Sequence, residues 1–270
     1  MNGGLAVLNL NLNGKRVLVT GSSKGIGFAI ARGFAQEGAR VCLSGRSKES
    51  LTAARLQLMK HLPKDFGQDG AIIGEACDFV NENDVARLRK EIDDRWKGLD
   101  ILVCNIGDGA SPPSTAPSSD EVHRMLDINL FSCLNAIHAF LDTLSGNSGN
   151  ILLISSIAGL EAIGAPGAYA AAKAAANSFV KTLAKKFPET AVRVNSLAPG
   201  NVLFDGGTWA KKLAKDHDGV MNAIHSRVPM QRFATTEEIA NVAVFLASSA
   251  ASFVNGATVV VDGGQTSKIN

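Results

Sequence analysis

A single tyrosine, two tryptophans and four cysteines are spread over 270 residues. No arginine-rich run occurs, basic residues are not interleaved with aromatic ones, and Lys plus Arg exceed Asp plus Glu by only 2. Nothing therefore points to nucleic acid or an anionic membrane as a partner. No stretch approaches the roughly 20 apolar residues of a spanning helix. The apolar patch Leu5–Leu8 is too short for a signal peptide and no basic residue precedes it, so residues 1–13 read as an N-terminal extension and the chain is expected in the cytoplasm. Cys42, Cys77, Cys104 and Cys133 form no C-x-x-C pair and sit among apolar neighbours, the pattern of buried free thiols in a reducing compartment. The five histidines lack metal-ligand spacing, so no metal is expected.

What is present is an alternation. Apolar runs at 16–20, 41–44, 71–77, 101–104, 150–155, 192–197 and 258–261 read as strands. Helical periodicity lies between them: from Ile26 to Gly38, about 48–61, about 84–97, one long helix at about 120–144, and an alanine-rich helix at 168–187. A last helix starts near Thr235, where Thr235-Thr-Glu-Glu238 fits a capping box. The loop holding Pro112, Pro113 and Pro117 is irregular. Solid apolar strands alternating with helices predict an α/β protein of Rossmann type. Its seven-stranded parallel sheet would be doubly wound, with helices on both faces. No linker or repeat divides residues 1–270, so one domain is expected.

The first strand runs into Thr20-Gly-Ser-Ser-Lys-Gly-Ile-Gly27. Glycines at a strand-to-helix turn let the backbone approach a pyrophosphate, and the helix N-terminus offers free N–H groups to it. The spacing is G-x-x-x-G-x-G. An NAD site places a carboxylate at the end of the second strand for the ribose 2′-hydroxyl; here Gly45 holds that place and Arg46 follows. Arg46 and Lys24 are two cations that could converge on a 2′-phosphate. The reading is NADP(H) rather than NAD(H).

Further along, Asp78 follows the third strand, Asn105-Ile106-Gly107 the fourth and Pro199-Gly200 the sixth. Asn129 lies in the long helix, and Ser155-Ser156 precedes Tyr169-Ala-Ala-Ala-Lys173. In this order and spacing, from about Gly14 to Gly264, the chain resembles the short-chain dehydrogenase/reductase family. Thr20–Gly27 matches that family's T-G-x-x-x-G-I-G, and Tyr169–Lys173 its Y-x-x-x-K.

The resemblance implies a catalytic set of Asn129, Ser156, Tyr169 and Lys173, with Ser156 favoured over Ser155 by its interval to Tyr169. It implies cofactor contacts from Gly21, Ser23, Lys24, Gly25, Ile26, Gly27, Arg46, Asp78, Phe79, Asn105, Gly107, Tyr169, Lys173, Pro199, Gly200 and Val202. Asp78 would meet the adenine, and Asn129 would hold a water linking Lys173 to solvent. A homo-oligomer, dimer or tetramer, is also implied.

The chemistry has a physical basis of its own. Tyr169 and Lys173 share one helix face. A phenol titrates near pH ~10, and a neighbouring ammonium together with a positive nicotinamide would lower that value. Tyr169 could then exchange a proton at neutral pH while Ser156 binds the substrate oxygen.

Two departures bear on the substrate. Ile106 stands where the family often has alanine, and Phe204 where it often has threonine near the cofactor's amide. Residues 204–228, with Phe204, Gly206, Gly207 and Trp209, read as a substrate-binding lid, the alternative being a surface helix anchored by one Trp. Its Lys211, Lys212, Lys215 and His217 are read chiefly as a solvated face. The expected substrate is a small carbonyl or secondary alcohol, with 3-oxoacyl-carrier-protein reductases the first resemblance. Sugar or polyol dehydrogenases come close behind, and for them Asp108, Glu161 and Asp205 are candidate polar pocket groups. The alternative is a non-catalytic NADP-binding regulatory protein, but such relatives typically lose the Tyr or the Lys, and both are present.

Overall fold

The computed structural model describes residues 9–63, 70–112, 116–187 and 192–267. The patch Leu5–Leu8 and Pro113 lie outside them. Seven parallel strands form the sheet: β1 Arg16–Val19, β2 Arg40–Gly45, β3 Ile72–Ala76, β4 Ile101–Cys104, β5 Asn150–Ile154, β6 Arg193–Pro199 and β7 Thr258–Val261. Their order is β3-β2-β1-β4-β5-β6-β7. The chain thus reverses direction between β1 and β4, and the carboxyl edge at that switch is where such sheets open a crevice.

Alternate residues of each strand feed two cores. Val17, Val19, Val41 and Leu43 face α1 (Gly25–Gln36), α2 (Lys48–Met59) and α9 (Thr236–Ala247), meeting Phe34, Leu58 and Ile239. Leu18, Cys42 and Leu102 face α3 (Glu82–Trp96), α5 (Ser132–Gly146) and α6 (Gly167–Leu183), meeting Leu88, Phe140 and Val180. Central strands buried on both faces need apolar side chains at every position, hence their unbroken apolar runs. At the opposite edge Arg16 grips Asp100 with Nε to Oδ2 at 2.8 Å and Nη2 to Oδ1 at 2.9 Å, tying β1 to β4 at the switch. The capping box forms as expected, between Thr235 and Glu238.

The long helix expected at 120–144 is not continuous. It is α4 (Ser119–Leu126), a π-helical turn Asp127–Phe131, then α5. Inside the turn Asn129 Nδ2 donates to the Met125 carbonyl at 3.0 Å and Ser132 Oγ to the Ile128 carbonyl at 2.6 Å. Side chains that take carbonyls four residues back compete with the helical ladder, and the wider turn accommodates them. The expected lid holds two helices, α7 (Thr208–Leu213) and α8 (His217–Arg227). These carry a small core of their own, Ile224, Val228 and Phe233 with Trp209, Leu213, Val220 and Met221.

Candidate active site

The turn after β1 begins with Gly21 at φ 62° and closes over Gly25 at φ 61°, left-handed conformations suited to glycine. At Gly27 a Cβ would stand 2.4 Å from Asn105 Nδ2 and 2.5 Å from the Gly21 carbonyl. Only a residue without a side chain lets α1 start this close to the strand. Asn105 holds the turn from the β4 side, its Nδ2 donating to the Thr20 and Gly21 carbonyls at 3.1 and 2.9 Å. Thr20 Oγ1 in return accepts the N–H groups of Asn105 and Ile106. No side chain among the described residues caps α1, so its first-turn N–H groups are left for an anion. This cradle fits a dinucleotide pyrophosphate.

The other cofactor candidates separate by what their side chains do. Ile106 packs on Gly21, whose Cβ would lie 3.1 Å from Ile106 Cγ1. Ser23, rather than Lys24, lies against Gly45, with Oγ 3.7 Å from that glycine's Cβ position. Lys24 Nζ lies 3.9 Å from the Cβ position of Gly206, and Arg46 is exposed. Asp78 is exposed and accepts the Val80 N–H at 3.1 Å; the cap of α3 is Asn81, which leaves the Asp78 carboxylate at the surface. Phe79 is buried in the core and its carbonyl accepts a hydrogen bond from Asn135 Nδ2 at 3.0 Å. Gly200 passes under Asp262, whose Cα would be 2.8 Å from a Cβ there, and buried Val202 bridges to Ala234.

The proton-transfer candidates meet at the end of β5. Ser156 caps a 3-10 turn, Ile157–Gly159. At Gly159 a Cβ would fall 2.6 Å from the Lys173 carbonyl carbon, so this glycine lets the turn press against α6. Ser156 Oγ there accepts the Ala158 N–H at 3.2 Å, and its side chain draws the pKa of the Tyr169 phenol down. Neighbouring Ser155 is buried, with no hydrogen-bond partner for its Oγ among the described residues. One helical turn on, Lys173 is buried; its Nζ donates to the Ile154 carbonyl at 3.1 Å and lies 5.9 Å from the Tyr169 ring centre.

The strand end after β4 threads above this pair. At Gly107 a Cβ would be 3.0 Å from both Lys173 Nζ and Asn129 Oδ1, and at Gly109 it would be 3.7 Å from Tyr169 Cζ. Asn129 fixes this roof: its Oδ1 accepts the Asp108 N–H and its Nδ2 donates to the Asp108 carbonyl, both at 3.1 Å. Those bonds use the amide on the roof and on Met125.

Arg124 of α4 escaped the sequence reading. It donates to the Ala110 carbonyl at 2.7 Å and to both Glu121 oxygens, and lies 3.5 Å from Asp108. The Glu121-x-x-Arg124 spacing was the available signal. Of the polar pocket candidates, Glu161 accepts the Ser267 N–H at 3.0 Å, which ties it to the C-terminal tail, while Asp108 adjoins the phenol.

Burial holds the Tyr169 phenol above its ordinary value, with Ser156 pulling down and the Asp108 carboxylate pushing up. Burial brings Lys173 down to about 8 from 10.5.

A family model described as enoyl-(acyl carrier protein) reductase matches residues 21–266. The chain is 35% identical over 260 residues to a glucose 1-dehydrogenase of Gluconobacter oxydans, covering 94% of this chain and 92% of that protein. It is 36% identical over 262 residues to the 3-oxoacyl-[acyl-carrier-protein] reductase FabG of Chlamydia muridarum, covering 95% and 99%. The crystal structure of L-sorbose reductase from Gluconobacter frateurii, complexed with NADPH and L-sorbose, superposes with a TM-score of 0.88 at 30% identity over 97% of this chain and 100% of that one.

Proposed function

This chain belongs to the short-chain dehydrogenase/reductase family, and we propose that it is an NADP(H)-dependent oxidoreductase interconverting a carbonyl and a secondary alcohol. The observation that carries this is the placing of Tyr169 and Lys173 one turn apart on α6, with Lys173 Nζ 5.9 Å from the phenol ring centre, at the end of β5 and beside the glycine turn at the sheet's switch point. The cofactor supplies or accepts the hydride. Tyr169 Oη gives a proton to the carbonyl oxygen in reduction and takes it back in oxidation. Ser156 Oγ holds that oxygen as charge builds on it. Lys173, its value brought down to about 8, would return the proton to Tyr169, whose phenolate would also be favoured by the positive charge of an oxidised nicotinamide once bound. Asn129 acts through its backbone bonds on the roof. Asn105 sets the turn formed by Gly21, Ser23, Gly25, Ile26 and Gly27, and Arg46 meets the 2′-phosphate.

The relative that carries NADPH supports the choice of cofactor. The substrate class is a 3-oxoacyl thioester or a keto-sugar, as the two relatives' names suggest. We further infer one domain with a lid at 204–228, residence in the cytoplasm on the strength of four free thiols, and a dimer or tetramer. No helix among the described residues is long and apolar enough to cross a membrane.

The test is an NADPH-oxidation screen over acyl thioesters, keto-sugars, steroids and quinones, run with Tyr169→Phe in parallel. The variant is expected to bind NADPH and to lose turnover by at least about a hundredfold. Turnover near wild type in that variant would remove Tyr169 from the mechanism. NADPH binding with no turnover on any substrate would favour the regulatory alternative.

A further inference from the structure

The aromatic ring of Phe204 touches two glycines that belong to different machines. A Cβ on Gly25, the first residue of α1, would lie 2.7 Å from Phe204 Cε2 and 2.9 Å from Cζ. A Cβ on Gly207, which caps α7, would lie 3.0 Å from the same two atoms. The Gly207 N–H also donates to the Phe204 carbonyl at 3.1 Å, and Gly206 between them sits at φ 72°. The ring is half-buried and packs on the core that α1 shares with the sheet. Beyond it the lid rests on its separate small core, where Trp209 packs on Phe233 at 5.3 Å between ring centres and Lys212 Nζ stands 4.5 Å over the indole. At its root, then, the lid leans on the phosphate turn through the flat ring of Phe204, with Lys24 Nζ beside it, 3.9 Å from the Cβ position of Gly206.

A pyrophosphate held by the first N–H groups of α1 must share the surface of Gly25 with that ring. We propose that Phe204 is a wedge between the phosphate turn and the lid, so that dinucleotide binding repositions α7 and α8 through it. The inference rests on the cofactor reading above. Phe204 is a positioning residue here: it sets where the lid stands when substrate arrives and takes no part in proton or hydride transfer.

Two readouts on one sample separate the possibilities. NADP+, which does not absorb tryptophan emission, is titrated while calorimetry records binding and fluorescence records the indoles. Trp96 is buried under α3 in the other core, so a response that vanishes in Trp209→Phe belongs to the lid. The expected result is heat together with a change in Trp209 emission. In Phe204→Ala the heat persists with Kd within about tenfold, the emission change is lost, and KM for the carbonyl substrate rises about tenfold at unchanged kcat. Phe204→Tyr, which keeps the ring, is expected to restore both; if the alanine variant does not fold, Phe204→Leu replaces it with the same expectations. Heat with an emission change that survives removal of the ring would overturn the wedge. So would heat with no emission change in the unsubstituted protein. No heat with either NADP+ or NAD+ would instead overturn the cofactor reading itself.

Discussion

Lys173 shows what the site costs the fold. Burial lowers its value from 10.5 to about 8, a change equivalent to about 3 kcal/mol of unfavourable burial of the charged form. Below pH 8 both the folded and the unfolded chains carry the proton, so the whole penalty is present. Between about 8 and 10.5 the folded lysine is neutral while the unfolded one still binds its proton, and stability rises with pH. Lys173→Met is therefore expected to be inactive yet more stable than the parent at pH 7, by about 1–3 kcal/mol after the lost bond to Ile154 is counted. That advantage should shrink as thermal melts are repeated up to pH 10.5. A variant that melts lower at pH 7 would show the ammonium to be stabilising. Arg46 is the second residue to test. It is exposed and has no ion pair among the described residues, so Arg46→Ala should leave melting alone while raising KM for NADPH far more than for NADH. Equal effects on the two cofactors would end its assignment to the 2′-phosphate.

At the scale of elements, α1 and α9 lie close because of Gly33. A Cβ there would stand 2.9 Å from Val244 Cγ2, on a stiff, branched side chain. Alanine normally strengthens a helix by about 1 kcal/mol over glycine; here the clash should outweigh it and Gly33→Ala should cost about 1–2 kcal/mol. In a Val244→Ala background the same substitution should become neutral or stabilising, and denaturant melts of the four proteins read that coupling directly. The elements themselves were largely legible, because buried parallel strands must be apolar throughout and the glycine turn must follow the first of them. The π-helical turn was not. Its cause is a hydrogen bond from the Asn129 side chain to Met125, and hydrophobic periodicity records only which face is buried. The contact of Phe204 with Gly25 was equally hidden, since it joins residues far apart in sequence; the sequence showed only that a ring stands where a hydroxyl is common. The approach of Lys24 Nζ to Gly206 was hidden in the same way, since it too joins residues far apart in sequence.

Seen as a whole, the molecule has two cores divided by the sheet, and all four cysteines lie buried in the one covered by α3, α5 and α6. Burial holds the Cys42 thiol well above its ordinary value, the neighbouring Cys133 thiol and then burial do the same for Cys104, and burial pushes Cys77 up to about 12. A soluble disulfide reagent should accordingly label none of the four in the native protein and all four in denaturant. Rapid native labelling would mean that a core opens readily. Burial of this kind depends on a continuous fold, whereas the site depends on a few close approaches at one edge of it: Gly107 over Lys173, Gly159 against α6, and Gly109 over the phenol.

Because that phenol is the chain's only one, any spectroscopic label that replaces tyrosine reports from position 169 alone, the proposed proton donor. Fluorotyrosine grown into the protein would give a single fluorine resonance, whose position follows the ionisation of one hydroxyl as cofactor and then substrate are added. The proton's whereabouts in each complex could be followed without altering any other side chain.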